Sequence, residues 1–244
     1  MTSAESTLRR ELAAAFRWTA RFGWHESVAN HFSAVIPGEE HMFLLNPIGR
    51  HFSRMSASEL VTLDSRLAGG SEVDSRADAT AWFLHSRLHR SVPRAKVVLH
   101  THMPYATTLA CLADYEFQML DQNACRFHDR IAYDRNYSGM FLGDGEGGRV
   151  AEMLADGRDI LLLGGHGVLV IGNSVAEAFE DLYYLERASM LQVQALQTGR
   201  PLAVIPDHIA ALTRQQWFAY PADCDLHFRE LLAILDDEGD SYSR

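Results

Sequence analysis

The stretch 160–171, ILLLGGHGVLVI, constrains the fold more than any other part of the chain. Two short aliphatic runs flank Gly164-Gly165-His166-Gly167. Runs of this length bounded by glycines read as buried strands, Ile160–Leu163 and Val168–Ile171, joined by a tight turn. A third apolar strand, Ala95–Leu99, leads directly into His100-Thr101-His102, and Pro104 then breaks it. Residues 30–36 and 42–45 read as further strands separated by the turn Pro37-Gly38-Glu39-Glu40, and another is expected near Ile131–Tyr133.

Helical periodicity covers residues 5–22, with Leu8, Leu12, Ala15, Phe16 and Phe22 near one face. It returns over 77–90, where Trp82, Leu84, His85 and Leu88 are candidates for the buried side, and over 105–113. A glycine-rich turn is expected at 143–148, followed by a helix around 148–155. The clearest helix spans 174–197: Ser174 caps it, Glu177 completes a capping box, and Gly199-Arg200-Pro201 ends it. Ser56 and Glu59 resemble a second box. With no repeat or low-complexity linker, residues 1–244 read as one domain with a core of about 8–220. The acidic tail beyond Asp236 is expected to fray.

Composition excludes several classes. A formal charge of −10, with a single lysine (Lys96), argues against a nucleic-acid partner, which requires clustered positive surface. No segment approaches the roughly 18–20 apolar residues that cross a bilayer. The first residues lack the pattern of a signal peptide, so a cytoplasmic location is expected. Cys111, Cys125 and Cys224 are too few and too scattered for a disulfide framework or thiolate zinc site.

The chemistry concentrates in histidines. Residues i and i+2 of a strand point to one face, so His100 and His102 converge. The glycines around His166 permit a tight turn that places a third imidazole at a strand end. Three histidines with open positions suit a catalytic rather than a structural metal, and Zn, Mn, Fe and Co all accept them.

VVLHTHMPYAT, then ILLLGGHGVLVIGNSVAEAF and YYLERA, resemble the class II aldolase/adducin family in spacing, turn and order of elements. The resemblance implies an α/β fold: a three-layer α/β/α sandwich around a mostly antiparallel sheet. It also implies one divalent transition metal per subunit on His100, His102 and His166, and a homotetramer with sites at subunit interfaces. Against the sugar-phosphate aldolases of that family the chain departs. Their Ser-Ser-Glu segment aligns with Ala79-Thr80-Ala81, so the acid/base glutamate is replaced by Ala81 and phosphate-holding serines by Ala79 and Thr80. Asn30, Ser33, Asn46 and Gly49 remain as expected substrate contacts, together with Thr80; Arg126 or Arg130 is a candidate partner for a substrate carboxylate.

Retro-aldol cleavage needs a proton taken from a hydroxyl by a positioned base, whereas decarboxylation does not. The expectation is therefore a metal-dependent carbon–carbon lyase, first a decarboxylase of a small non-phosphorylated hydroxy or aromatic acid. The alternatives are an aldolase or epimerase with its acid/base supplied elsewhere, and a non-catalytic adducin-like module. For the acid that reprotonates the product, the candidates are His31, His85 and Asp78. His31 would point opposite Asn30 on a strand, which counts against it.

Overall fold

The computed structural model describes residues 2–68, 74–140, 144–220 and 223–244. Its centre is a seven-stranded sheet built from β1 (His31–Val35), β2 (Met42–Leu45), β3 (Val61–Asp64), β4 (Val97–Thr101), β5 (Ile131–Asp134), β6 (Ile160–Leu163) and β7 (Gly167–Gly172). The order is β3-β2-β1-β4-β7-β6-β5, and every neighbouring pair is antiparallel except β5 with β6. The helices are α1 (Ser3–Arg21), α2 (Ala79–Ser91), α3 (Pro104–Ala110), α4 (Gln122–Cys125), α5 (Asp144–Leu154), α6 (Val175–Gln197), α7 (Asp207–Phe218) and α8 (Asp223–Asp237).

Alternation along the central strands divides the interior into the expected layers. Val97, Leu99, Val168 and Val170 join a cluster with Phe16 of α1 and Phe179 of α6. Val98, Leu169 and Ile171, between them in sequence, join Leu84 and Leu88 of α2 and Val150 of α5 on the opposite face. His100 follows Val98 by two residues and so faces α2. Register places His31 directly across from it, and Ser33 across from Val98.

Three local expectations change. Residues 144–148 are the first turns of α5, not a glycine-rich turn; Gly143 lies outside the described residues. Gly147 serves packing there, because a Cβ on it would sit 2.9 Å from the Arg87 Cβ. The Ser56–Glu59 capping box exists but opens only a short 3₁₀ turn, Ala57–Glu59. The C-terminal tail is docked rather than frayed. Tyr242 is fully buried, its hydroxyl donates to Asp236 (2.8 Å) and accepts from Arg10 (3.0 Å), and Asp240 pairs with Arg17 and Arg21 of α1.

A three-histidine candidate metal centre

His100, His102 and His166 come together at the C-terminal end of β4 and the β6–β7 turn, each offering a ring nitrogen within 4.8 Å of the other two. The turn depends on its glycines. A Cβ on Gly167 would lie 2.6 Å from the Thr101 carbonyl oxygen and 2.7 Å from a His102 ring carbon; on Gly164 it would lie 2.8 Å from the Asp134 carbonyl oxygen. A larger residue at Gly167 pushes the hairpin away from β4 and one at Gly164 pushes it away from β5, so these two glycines are a packing requirement.

The ring orientations fit a metal. His100 Nδ1 lies 2.9 Å from the Val168 carbonyl oxygen. A carbonyl only accepts, so Nδ1 carries the proton and Nε2 is left with a lone pair. His102 Nδ1 is held by the Glu26 carboxylate at 2.5 Å, while its Nε2 is buried without a partner. An orphaned, unprotonated imidazole nitrogen facing two others is what a divalent cation satisfies. Burial holds two of the three neutral: it depresses His166 to about 4 and His100 well below the ordinary imidazole value. Neutral rings keep their lone pairs available to a cation.

Glu26 is the residue sequence reasoning missed. It sits in the loop after α1, far from His102 in sequence, and no local pattern marks it. Asn30 explains its placement: the Asn30 Oδ1 accepts from the Glu26 amide (2.6 Å) and closes the loop. Removing the carboxylate should loosen the His102 ring without touching a ligand. Glu26→Ala is expected to weaken zinc affinity by about 10–100-fold, measured by competition with a chromogenic chelator, with the fold unchanged by circular dichroism. Wild-type affinity in that variant would show that the Glu26 contact does not orient the site.

The other expected site residues divide into those the structure brings to the centre and those it does not. His31 is at the centre, its ring 4.7 Å from that of His100, because the strand starts at His31 and turns it toward α2. It is not an acid, however. Burial lowers it to about 3, and its Nδ1 is engaged with His85 Nε2 at 2.7 Å. His85 is fully buried and likewise kept neutral by burial, so neither has a proton to give to a product. Asp78 is the N-cap of α2, accepting from the Thr80 amide (2.9 Å) and hydroxyl, which occupies Thr80 as well. Asn30 and Asn46 brace the chain, Asn46 Oδ1 accepting from Phe32 N (3.1 Å) and its amide donating to the Asn30 carbonyl, while the Asn30 Nδ2 is itself buried without a hydrogen-bond partner among the described residues. Gly49 sits at φ +74° in an exposed turn.

Arg126 lies elsewhere. Its Nε donates to Asp181 at 2.6 Å, and Arg130 donates to the other oxygen of the same carboxylate at 2.6 Å. The Arg126 guanidinium is stacked over Tyr184, Trp217 and Phe218. Both arginines are spent in a buried ion cluster between α4, α6 and α7, which burial of Asp181 inside α6 demands. The Ala81 side chain is buried in an apolar cluster with Phe43, Leu45 and Trp82. The groove that leads to the triad is lined by His25, Glu26, Thr107 and Cys111 beside His102 and His166. His89 also escaped the sequence reading, although its spacing of four from His85 on one helix was a usable signal.

An α/β/α sandwich with three imidazoles converging at the end of its central strands presents a group that could hold a metal ion in the manner of an open site rather than a closed structural one. The chain belongs to the class II aldolase and adducin N-terminal domain family, whose pattern matches residues 10–193. It is 32% identical over 203 residues to a protein of Caulobacter vibrioides named for the class 2 aldolases, covering 82% of this chain and 77% of that one. Decarboxylase NovR of Streptomyces niveus is 27% identical over 84% of this chain and 75% of its own length. In three dimensions, an aldolase II superfamily protein from Pseudomonas syringae superposes with a TM-score of 0.89 at 29% identity, covering 100% of this chain and 98% of that one.

Proposed function

We propose that the protein is a divalent-metal-dependent decarboxylase of a small, non-phosphorylated hydroxy or aromatic acid. The observation that carries this reading is an intact three-imidazole site in which the position of the aldolases' acid/base glutamate holds no carboxylate, while the carboxylate that does lie beside the triad, Glu26, is engaged with His102. Ala81, where the aldolases of the family keep a glutamate, is buried among apolar side chains. A cation on His100, His102 and His166 would supply a Lewis acid with open positions, able to draw electron density from a ligated oxygen.

The protein's own groups then have limited tasks. Val168 and Glu26 fix the ring orientations of His100 and His102. His31 is neutral and holds its one ring proton toward His85, so it takes no part in donating protons. Decarboxylation requires no base at the substrate, since the bonding electrons leave the departing carbon and remain on the acid. In this reading Tyr137, whose ring lies 6.2 Å from that of His166, supplies the proton returned to the product. The similarity to a decarboxylase supports the same reading. So does the loss of hydroxyl donors at Ala79, and the use of Thr80 in capping α2, since phosphate recognition needs a dense set of donors. Assembly into a homotetramer is part of this reading, and the exposed Ile209, Leu212 and Phe218 on α7 offer an apolar surface for association. Among the described residues no helix is long and apolar enough to cross a membrane.

The test is product identity. Protein loaded separately with zinc, manganese, iron or cobalt should release CO2 from a member of a panel of hydroxy-aromatic and sugar acids, and lose that activity on chelation. Aldehyde release without CO2 would overturn the decarboxylase and favour an aldolase. Failure to hold any metal would leave the adducin-like, non-catalytic reading.

A further inference from the structure

Behind the triad, a continuous hydrogen-bonded chain runs between the sheet and α2. His31 Nδ1 meets His85 Nε2 at 2.7 Å, and His85 Nδ1 meets the Ser33 hydroxyl. Ser33 Oγ also lies 2.7 Å from His89 Nε2, and His89 Nδ1 is 2.6 Å from the Ala95 carbonyl oxygen. Two residues on β1 at strand spacing and two on α2 at helical spacing thus build one chain, ending beside the His100 ring.

The direction of every proton in it follows from the last partner. The Ala95 carbonyl can only accept, so His89 Nδ1 carries the hydrogen. His89 is kept neutral by burial, so its Nε2 has a lone pair and must receive the Ser33 hydroxyl proton. Ser33 Oγ then accepts from His85 Nδ1–H, which leaves His85 Nε2 unprotonated. That nitrogen accepts from His31 Nδ1–H. His31 is left with a bare Nε2, the reverse of the Nε2–H form that a free neutral histidine side chain prefers.

We propose that Ser33, His85 and His89 are a tautomer lock that presents His31 Nε2 beside the metal triad as a hydrogen-bond acceptor, so that the site selects acids carrying a free hydroxyl at that position. This rests on the reading of the triad as a metal site for small acids and narrows the substrate to hydroxy acids. A hydroxyl can donate to His31 Nε2; an ether oxygen in its place cannot, and leaves a desolvated acceptor unpaired. Ser33, His85 and His89 act through His31 and are positioning residues.

The tautomer can be read directly, in metal-free, full-length protein labelled with ¹⁵N-histidine. Long-range ¹H–¹⁵N correlation separates protonated from bare ring nitrogens, and a His31→Gln spectrum assigns the residue. His31 is expected as the Nδ1–H form. In Ser33→Ala the chain is cut, and the His31 pattern should move toward Nε2–H; Ser33→Thr, which restores a hydroxyl, should move it back. His89→Phe cuts the same chain at its outer end, so the test survives if Ser33→Ala fails to fold. An Nε2–H form in the wild type overturns the lock, as does a His31 pattern unchanged in both cut variants. The second readout is calorimetric binding of glycolate and methoxyacetate to the zinc-loaded protein. Preference for glycolate by about tenfold, reduced in Ser33→Ala, is expected. Equal affinity, or no binding of glycolate, overturns the hydroxyl selectivity. A protein with the Nδ1–H tautomer and bound zinc that nonetheless releases no CO2 would sink the decarboxylase and leave the lock standing.

Discussion

His100→Ala is expected to abolish stoichiometric metal binding, from about one ion per chain to none after gel filtration in metal-free buffer. Of the three ligands, His100 is the most constrained. It is buried, it lies in the strand itself, and its Nδ1–H is fixed on the Val168 carbonyl, so its Nε2 has no rotational freedom to lose on binding. Without it, His102 and His166 offer two ligands at part-exposed positions, and protons and water compete with them. Cys111→Ser is the matched control, because Cys111 lines the same groove but belongs to no group of converging ligands among the described residues. That variant should retain the ion. Elemental analysis of both proteins checks the expectation, and wild-type stoichiometry in His100→Ala would refute the assignment of the triad.

The largest effect on stability is expected away from the site, at Asp181. Burial alone would raise its carboxyl, but Arg130 and Arg126 outweigh that penalty and hold it below the ordinary carboxylate value. Asp181→Ala leaves the Arg126 guanidinium buried against aromatic rings with no counter-charge among the described residues, and leaves Arg130 with the more exposed Asp159. Breaking a buried pair from one side typically costs about 3–5 kcal/mol. Urea unfolding should show the midpoint falling by a corresponding amount without a change in slope. The sign of the pH dependence follows from the direction of the shift. A carboxyl depressed in the folded state contributes its full stabilisation above the ordinary carboxylate range and loses it as pH falls through its folded value. The difference between wild type and Asp181→Ala should therefore be greatest near neutrality and shrink in acid. A difference that grew on acidification would contradict the ion-cluster account.

Local signals were legible in the sequence, and long-range ones were not. The ILLL and VLVI runs, the glycine turn between them and the Ser174 cap all fall where their chemistry places them, because each is decided by residues within a few positions; the expected box is only half formed, since the Glu177 carboxylate accepts from the Asn173 amide and not from Ser174. The strand Val61–Asp64 went unread, since four residues of mixed polarity carry little periodicity and its partner β2 is what selects it. Tyr242 gave no signal in an acidic tail; its burial depends on Arg10, at the other end of the chain. The triad was readable because two of its ligands share a strand and the third is framed by glycines. Its support was not. Glu26 reaches His102 from another loop, and Ser33, expected to face a substrate, instead links two imidazoles inside the protein. Arg126 was misplaced for a related reason: an arginine near a strand end looks the same in sequence whether it faces a ligand or a buried aspartate.

The antiparallel pairing of β4 with β7 has a mechanical consequence. His100 and His102 ride on one of these strands and its extension, and His166 on the turn that starts the other. An ion shared among them would act as a cross-strand clasp at the middle of the sheet, the region with the most partners to lose on opening. The free energy of ligation would be delivered to the segment whose separation is already the most costly, and not to a mobile rim. Holding or losing the cation would then change how cooperatively the whole sheet comes apart, and occupancy of the centre would be felt as rigidity well beyond the groove.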